Sequence, residues 1–146
     1  MRALILFFVG LAFGTGLGYL MGIPVEAHDH AGHDDPTHEH SVITAWDGPE
    51  PSIAINLLPE HGGAFNLFAN VSGFTFAPQD VNQASEQGTG HIHVYQDGVK
   101  IGRFYSPWAH LVGLKSGSTI RVTLNANDHT AWGFNGVPIA AETIVP

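Results

Sequence analysis

Two dipeptides constrain this chain more than any other feature. Asp97-Gly98 and Asn135-Gly136 are both type I′ turn signals, because the two central residues of that turn need positive φ, which Asp, Asn and Gly tolerate best. Each is flanked by β-prone runs: His91–Gln96 and Val99–Tyr105 around the first, Ala131–Phe134 and Val137–Ile144 around the second. Ser41–Trp46, Ser52–Leu58, Ala64–Val71, Phe74–Ala77 and Thr119–Asn125 add further expected strands. Alternation puts Ile53, Ile55 and Leu57 on one face, as it does Phe65, Leu67, Ala69 and Val71, and Ile120, Val122 and Leu124. Glu60-His61-Gly62-Gly63 and Lys115–Ser118 read as turns, and residues 79–90 as a long loop. Eighteen Gly and nine Pro fit many turns, and no helical periodicity competes. The spacing predicts an all-β domain, an antiparallel β-sandwich of Greek-key, immunoglobulin-like or cupredoxin-like type.

The N-terminus reads differently. Residues 3–23 form an uncharged stretch of 21 after Arg2, long enough as a helix to cross roughly 30 Å of hydrocarbon. A basic residue before the stretch and acidic ones after it predict the N-terminus inside and the domain outside. Val25-Glu26-Ala27 is also an acceptable signal-peptidase pattern, leaving His28 first. Two readings stand: a transmembrane helix tethering a periplasmic domain to the inner membrane, or a signal segment cleaved to release it. Gly10, Gly14, Gly18 and Gly22 share a helix face that would suit a homodimer of membrane helices. The expected organisation is 1–27 anchor or signal, 28–40 linker and 41–146 β-sandwich.

Composition narrows the chemistry. Five Lys+Arg against 13 Asp+Glu leave a net charge of −8, which excludes nucleic-acid binding built on clustered cations. Zero Cys removes disulfides, zinc ribbons, thiol nucleophiles and thiolate copper sites. The G-x-S-x-G, H-E-x-x-H and P-loop signatures are missing. Ten histidines are the conspicuous surplus. Residues 28–40, HDHAGHDDPTHEH, hold His28, His30, His33, His38 and His40 with four carboxylates. Such a tract buries too little to order itself, so it is expected to be a disordered linker. Imidazoles beside carboxylates suit Cu(II), Zn(II) or Ni(II).

In the domain, His91 and His93 are two apart on an expected strand, so both leave one face with Cα atoms roughly 7 Å apart. A two-residue Asp97-Gly98 loop pairs Gln96 with Val99, Val94 with Ile101, His93 with Gly102 and His91 with Phe104. Ile92, Val94, Val99 and Ile101 then form the core face. The histidines take the other face, with Gly102 leaving room for an ion, Lys100 beside them and Arg103 opposite. His110, in a short connection after Ser106-Pro107, and His129, at a strand boundary, are the further candidate ligands. His61 reads as a turn residue. Trp108 and Trp132 read as core or as walls of the site. With no Cys and no Met after Met21, soft Cu(I) sites are disfavoured; Cu(II) is expected first and Zn(II) second.

The string GHIHVYQDGVKIGRFYSPWAHL, followed by LNANDHTAW, resembles a group of small exported bacterial domains of unassigned function. Their pattern is G-H-x-H-x-Y-x-[DN]-G-x-K, then W-x-H-L, then L-N-A-N-D-H, over roughly residues 65–140. The matching positions are His91, His93, Tyr95, Trp108, His110, Asn127, Asp128 and His129. The resemblance implies an exported, cupredoxin-like β-sandwich and no established activity. A looser likeness is to copper–zinc superoxide dismutases, which carry an H-x-H pair on a sandwich strand; their cysteines and zinc-loop pattern are missing here. Together these readings lead to an extracytoplasmic copper-buffering or copper-delivery protein. A non-catalytic interaction module of the cell envelope and a redox enzyme of superoxide-dismutase type are the alternatives.

Overall fold

The computed structural model describes residues 42–146. The expected anchor or signal at 1–27, the glycine face within it and the histidine-rich linker at 28–40 lie outside the described residues. Among those described, the chain runs β1 (Ile43–Ala45), β2 (Ser52–Pro59), β3 (Phe65–Ser72), β4 (Thr75–Phe76), β5 (Thr89–Gln96), β6 (Val99–Phe104), β7 (Trp108–Leu111), β8 (Thr119–Asn125), β9 (Ala131–Phe134), β10 (Val137–Pro138) and β11 (Ala140–Ile144). Short 3₁₀ turns occupy His61–Gly63 and Pro78–Asp80. The fold is all-β in two sheets. β6, β5, β8 and β11 are consecutive antiparallel neighbours in the larger one, while β2, β3 and β7 make the smaller.

One core lies between them. The smaller sheet contributes Phe65, Leu67, Ala69, Ala109 and Leu111, and the larger contributes Ile92, Val94, Ile120, Val122 and Leu124. Ala109 and Leu111 apart, which lie on a stretch the sequence reads as a connection, these are the alternating positions the sequence picks out, because period-two patterning sends every second side chain inward. Burying each of the larger side chains contributes about 1.5–3 kcal/mol. Both turn signals are met. Asp97 (φ 50) with Gly98 (φ 84), and Asn135 (φ 51) with Gly136 (φ 79), have the two positive φ values of a type I′ turn.

Several expectations are corrected. The sheets are not purely antiparallel, since β1–β9 and β4–β5 pair in parallel. His110 is on strand β7 rather than in a connection. The expected strand 137–144 is broken at buried Ile139, whose backbone bonds Trp132 and Leu124 instead of continuing one ladder. The hairpin register is also shifted. Tyr95 faces Lys100 but Val94 faces Gly102, so Ile101 is an extra, bulged residue. Beyond it His93 pairs with Arg103 and Ile92 with Phe104. Ile101, expected in the core, is therefore 40% exposed; Val99 keeps its expected pairing with Gln96 but is 45% exposed beside the hairpin turn.

Candidate functional site

The larger sheet has a second face, away from the hydrophobic core, and β5 lines it with His91, His93 and Tyr95. Directly paired residues share a face, so the register gives its rows. Lys100, Tyr95, Arg121 and Glu142 form one row; Arg103, His93 and Thr123 the next; His91 and Asn125 the third. Arg103 is thus on the histidine face, not opposite it. Three of the four Lys and Arg residues in 42–146 stand there. Gly102 is on the other face, opposite Val94, and leaves space for the Phe104 ring rather than for an ion.

Local backbone requirements explain how the histidines come to lie where they do. Gly90 precedes His91 with φ 146, and a Cβ there would overlap the carbonyl oxygen of Asn125. Only glycine lets β5 start this close to the end of β8. The 126–130 turn then bends back towards β5. Asp128 Oδ1 accepts from Thr130 N at 3.1 Å and from Thr130 Oγ1 at 2.7 Å, an Asx-type turn. His129 is held at φ 74, in the left-handed region. Asn127 Nδ2 donates to Ala77 O at 3.0 Å and Asn82 N donates to Asn127 O at 3.1 Å, tying this turn to the segment after β4.

His91 and His93 are fully buried. Their Nε2 atoms are 3.0 Å apart. The outer nitrogens meet oxygens: His91 Nδ1 lies 3.5 Å from Asn127 Oδ1, and His93 Nδ1 lies 3.3 Å from the Tyr95 hydroxyl. Asn127 Oδ1 can only accept, so His91 carries its hydrogen on Nδ1 and its lone pair on Nε2. The Tyr95 hydroxyl either donates or accepts. When it donates, His93 Nε2–H points at His91 and the row is a continuous relay from Tyr95 through both rings to Asn127. When it accepts, His93 also holds its hydrogen on Nδ1, and two Nε2 lone pairs face each other. That second tautomer needs a cation between them, and oxygen partners on the far nitrogens are how metal-ligating histidines are oriented.

The spacing fits one ion. With metal–nitrogen bonds near 2.0–2.1 Å, a 3.0 Å separation subtends about 95° at the metal, closer to a tetragonal than to a tetrahedral angle. Two aromatic side chains border the pair. The Tyr105 ring lies 4.9 Å from His91, and its buried hydroxyl has no hydrogen-bond partner. The His129 ring lies 6.1 Å from His91. Its Nε2 is 2.7 Å from Asn82 Oδ1, which puts the hydrogen on Nε2 and the lone pair on Nδ1.

The other sequence candidates go elsewhere. His110 is exposed on β7, with Nδ1 3.2 Å from Glu60 Oε2 and 3.4 Å from Asn66 Oδ1. It belongs to the smaller sheet and joins no contact with the β5 row. Trp108 is 51% exposed and stacks on Phe68 at 4.4 Å, whereas Trp132 is buried and donates from Nε1 to Thr89 O at 3.0 Å. His61 sits in its 3₁₀ turn. His28, His30, His33, His38 and His40 lie outside the described residues. Among the described residues no three His, Cys, Asp or Glu side chains converge as a ready-made metal cluster. Sequence reasoning passed over Tyr105 and Asn127 as partners of His91; the A-N-D-H turn was the available signal for Asn127, but nothing local marks Tyr105. In comparisons with known proteins, no family model, curated protein or solved structure matches this chain.

Proposed function

We propose that this protein binds a divalent transition metal outside the cytoplasm, Cu(II) before Zn(II), and buffers it or hands it on. His91 and His93 are its first two ligands in this reading. The observation that carries it is the 3.0 Å approach of two buried Nε2 atoms. Their far nitrogens face oxygen partners, the arrangement that turns imidazole lone pairs towards an ion. Tyr105 and His129 are the neighbouring candidates for further donors. The cupredoxin-like character, the copper preference and the extracytoplasmic location come from the sequence reading and belong to the same proposal. The lack of Cys, and of Met after Met21, supports Cu(II) over Cu(I), and the bite angle of about 95° supports tetragonal Cu(II) over tetrahedral Zn(II).

The test is a Cu(II) and Zn(II) titration of the full chain against a competing chelator, with electron paramagnetic resonance on the first copper equivalent. Histidine nitrogen couplings on that equivalent, reduced in His91→Gln and His93→Gln, are expected. A first equivalent whose affinity and couplings survive both substitutions would refute this site. A second reading draws on the other sheet. Exposed Trp108 stacked on half-buried Phe68, with half-exposed Leu58 on the same face through the register, suits an interaction module; loss of partner capture in Trp108→Ala with metal affinity unchanged would favour it.

A further inference from the structure

We infer that Tyr105 is the third protein ligand of the ion held by His91 and His93, binding it through a phenolate oxygen; this rests on the metal-binding reading above and commits it to one further donor. Register places the residue. Ile92 pairs with Phe104 and His91 with Asn125, so the residue after Phe104 falls beside His91, in one row with Asn125 on the histidine face. The 4.9 Å approach of the Tyr105 and His91 rings agrees with that position. Both flanks of Tyr105 are tied down. Phe104 closes the β6 ladder, and two residues beyond Tyr105, Pro107 O accepts from Ala69 N at 2.8 Å where the chain crosses to the smaller sheet. The phenol is thus set against the pair before any ion arrives, which spares binding the cost of ordering a donor.

The Tyr105 side chain is half-buried, but its hydroxyl oxygen is buried and meets no hydrogen-bond partner. Folded proteins leave few buried polar groups in that state, and an ion is one of the partners that completes them. Two neighbouring side chains compete for the role and are engaged elsewhere. The Tyr95 hydroxyl lies 3.3 Å from His93 Nδ1, on the outer side of the pair. The His129 ring is farther from His91, at 6.1 Å, and its Nε2 is 2.7 Å from Asn82 Oδ1.

Charge favours an oxygen donor that loses a proton. Lys100, Arg103 and Arg121 share the histidine face, and cations close by oppose the arrival of another. Glu142 Oε1 lies 3.8 Å from Arg121 Nε, in the row of Tyr95 rather than that of either histidine. Among the described residues no carboxylate joins the histidine pair to complete a metal cluster. A phenolate supplies the negative charge at the ion itself. On loading, the O–H bond of Tyr105 gives way to an O–Cu(II) bond, the proton leaves to the buffer, and copper keeps its oxidation state. A bound divalent cation drives such a deprotonation. Two imidazole nitrogens with one phenolate oxygen form the mixed donor set that tetragonal Cu(II) takes.

The test titrates Cu(II) alone into the full chain and follows visible absorption, proton release and affinity in wild type, Tyr105→Phe, Tyr95→Phe and His91→Gln/His93→Gln. Phenolate bound to Cu(II) gives a charge-transfer band in the visible, where imidazole ligands give none. The band is expected in wild type and in Tyr95→Phe, and is expected to vanish in Tyr105→Phe. There the equivalent that needs His91 and His93 should bind about tenfold more weakly and release about one proton fewer. Tyr105→Phe keeps the ring and removes an unpartnered hydroxyl, so the metal-free variant should match or exceed wild type in urea midpoint. A lower midpoint and weaker binding, with no band even in wild type, would make Tyr105 a packing residue and overturn the inference. Copper held by His91 and His93 with a band and affinity that survive Tyr105→Phe overturns it and leaves the metal-binding reading standing. A band lost in Tyr95→Phe instead makes Tyr95 the donor, and also overturns it. Binding and band both unchanged in the 91/93 variant overturn both readings. The decisive comparison is wild type against Tyr105→Phe, so it does not depend on how the 91/93 variant folds.

Discussion

His93 on β5 and His110 on β7 are the same side chain on strands of one small domain, yet their surroundings differ in kind. His93 is fully buried, one Nε2 contact from His91 and one Nδ1 contact from Tyr95. His110 is exposed and reaches Glu60 and Asn66 through a single nitrogen. A buried polar ring must satisfy both nitrogens from protein groups, so its neighbours are determined and its geometry is held. An exposed ring trades partners with water at little cost. The difference teaches that burial, and not the mere presence of polar neighbours, is what locks a histidine in place here.

The contrast is broken most severely through the backbone. Gly90→Ala forces a Cβ into the Asn125 carbonyl and is expected to cost about 3–5 kcal/mol. Gly62→Ala, beside His61 in the 3₁₀ turn between β2 and β3, has open space at φ 78 and should cost only about 1 kcal/mol. Urea unfolding of both decides it; equal losses would mean that β5 has slack at its start. His93→Ala removes a buried ring and orphans two partners, for about 2–4 kcal/mol. A loss under 1 kcal/mol in the same assay would show that the row is not held as described. Asn127→Ala sharpens the comparison further. It deletes the Ala77 bond and the acceptor at His91 Nδ1, for about 1–3 kcal/mol, and should lower Cu(II) affinity about tenfold or more. Calorimetry showing lost stability with unchanged affinity would reduce Asn127 to a loop tie. The smallest effect belongs to His110→Ala, within about 0.5 kcal/mol and with the first copper equivalent intact. A drop in copper affinity there would return His110 to the site.

Much of the fold was legible because its determinants are local. The Asp97-Gly98 and Asn135-Gly136 turns follow from two residues each, and the inward faces of β3 and β8 follow from alternation over seven or eight residues. The H-x-H spacing was equally readable as two rings on one face. Beyond the first two pairs of the hairpin, legibility ended. Nothing local distinguishes a continuous ladder from one with Ile101 bulged out, and that one residue moved Arg103 onto the histidine face and Gly102 off it. β7 was missed for a related reason: four residues after Ser106-Pro107 read as a connection until β3 supplies the ladder that makes them a strand.

By itself, then, the amino-acid sequence determined an all-β domain, its two tight turns, the core-facing residues of β3 and β8 and the placing of His91 and His93 on one face of β5. Each is a matter of backbone preference or side-chain alternation within one segment. The tertiary structure alone decided that this pair is buried, that Asn127, Tyr105 and His129 gather around it, and that His110 is held elsewhere. Those contacts join segments far apart in the sequence, and they exist only because the strands pair across the larger sheet and the 126–130 turn bends back towards β5.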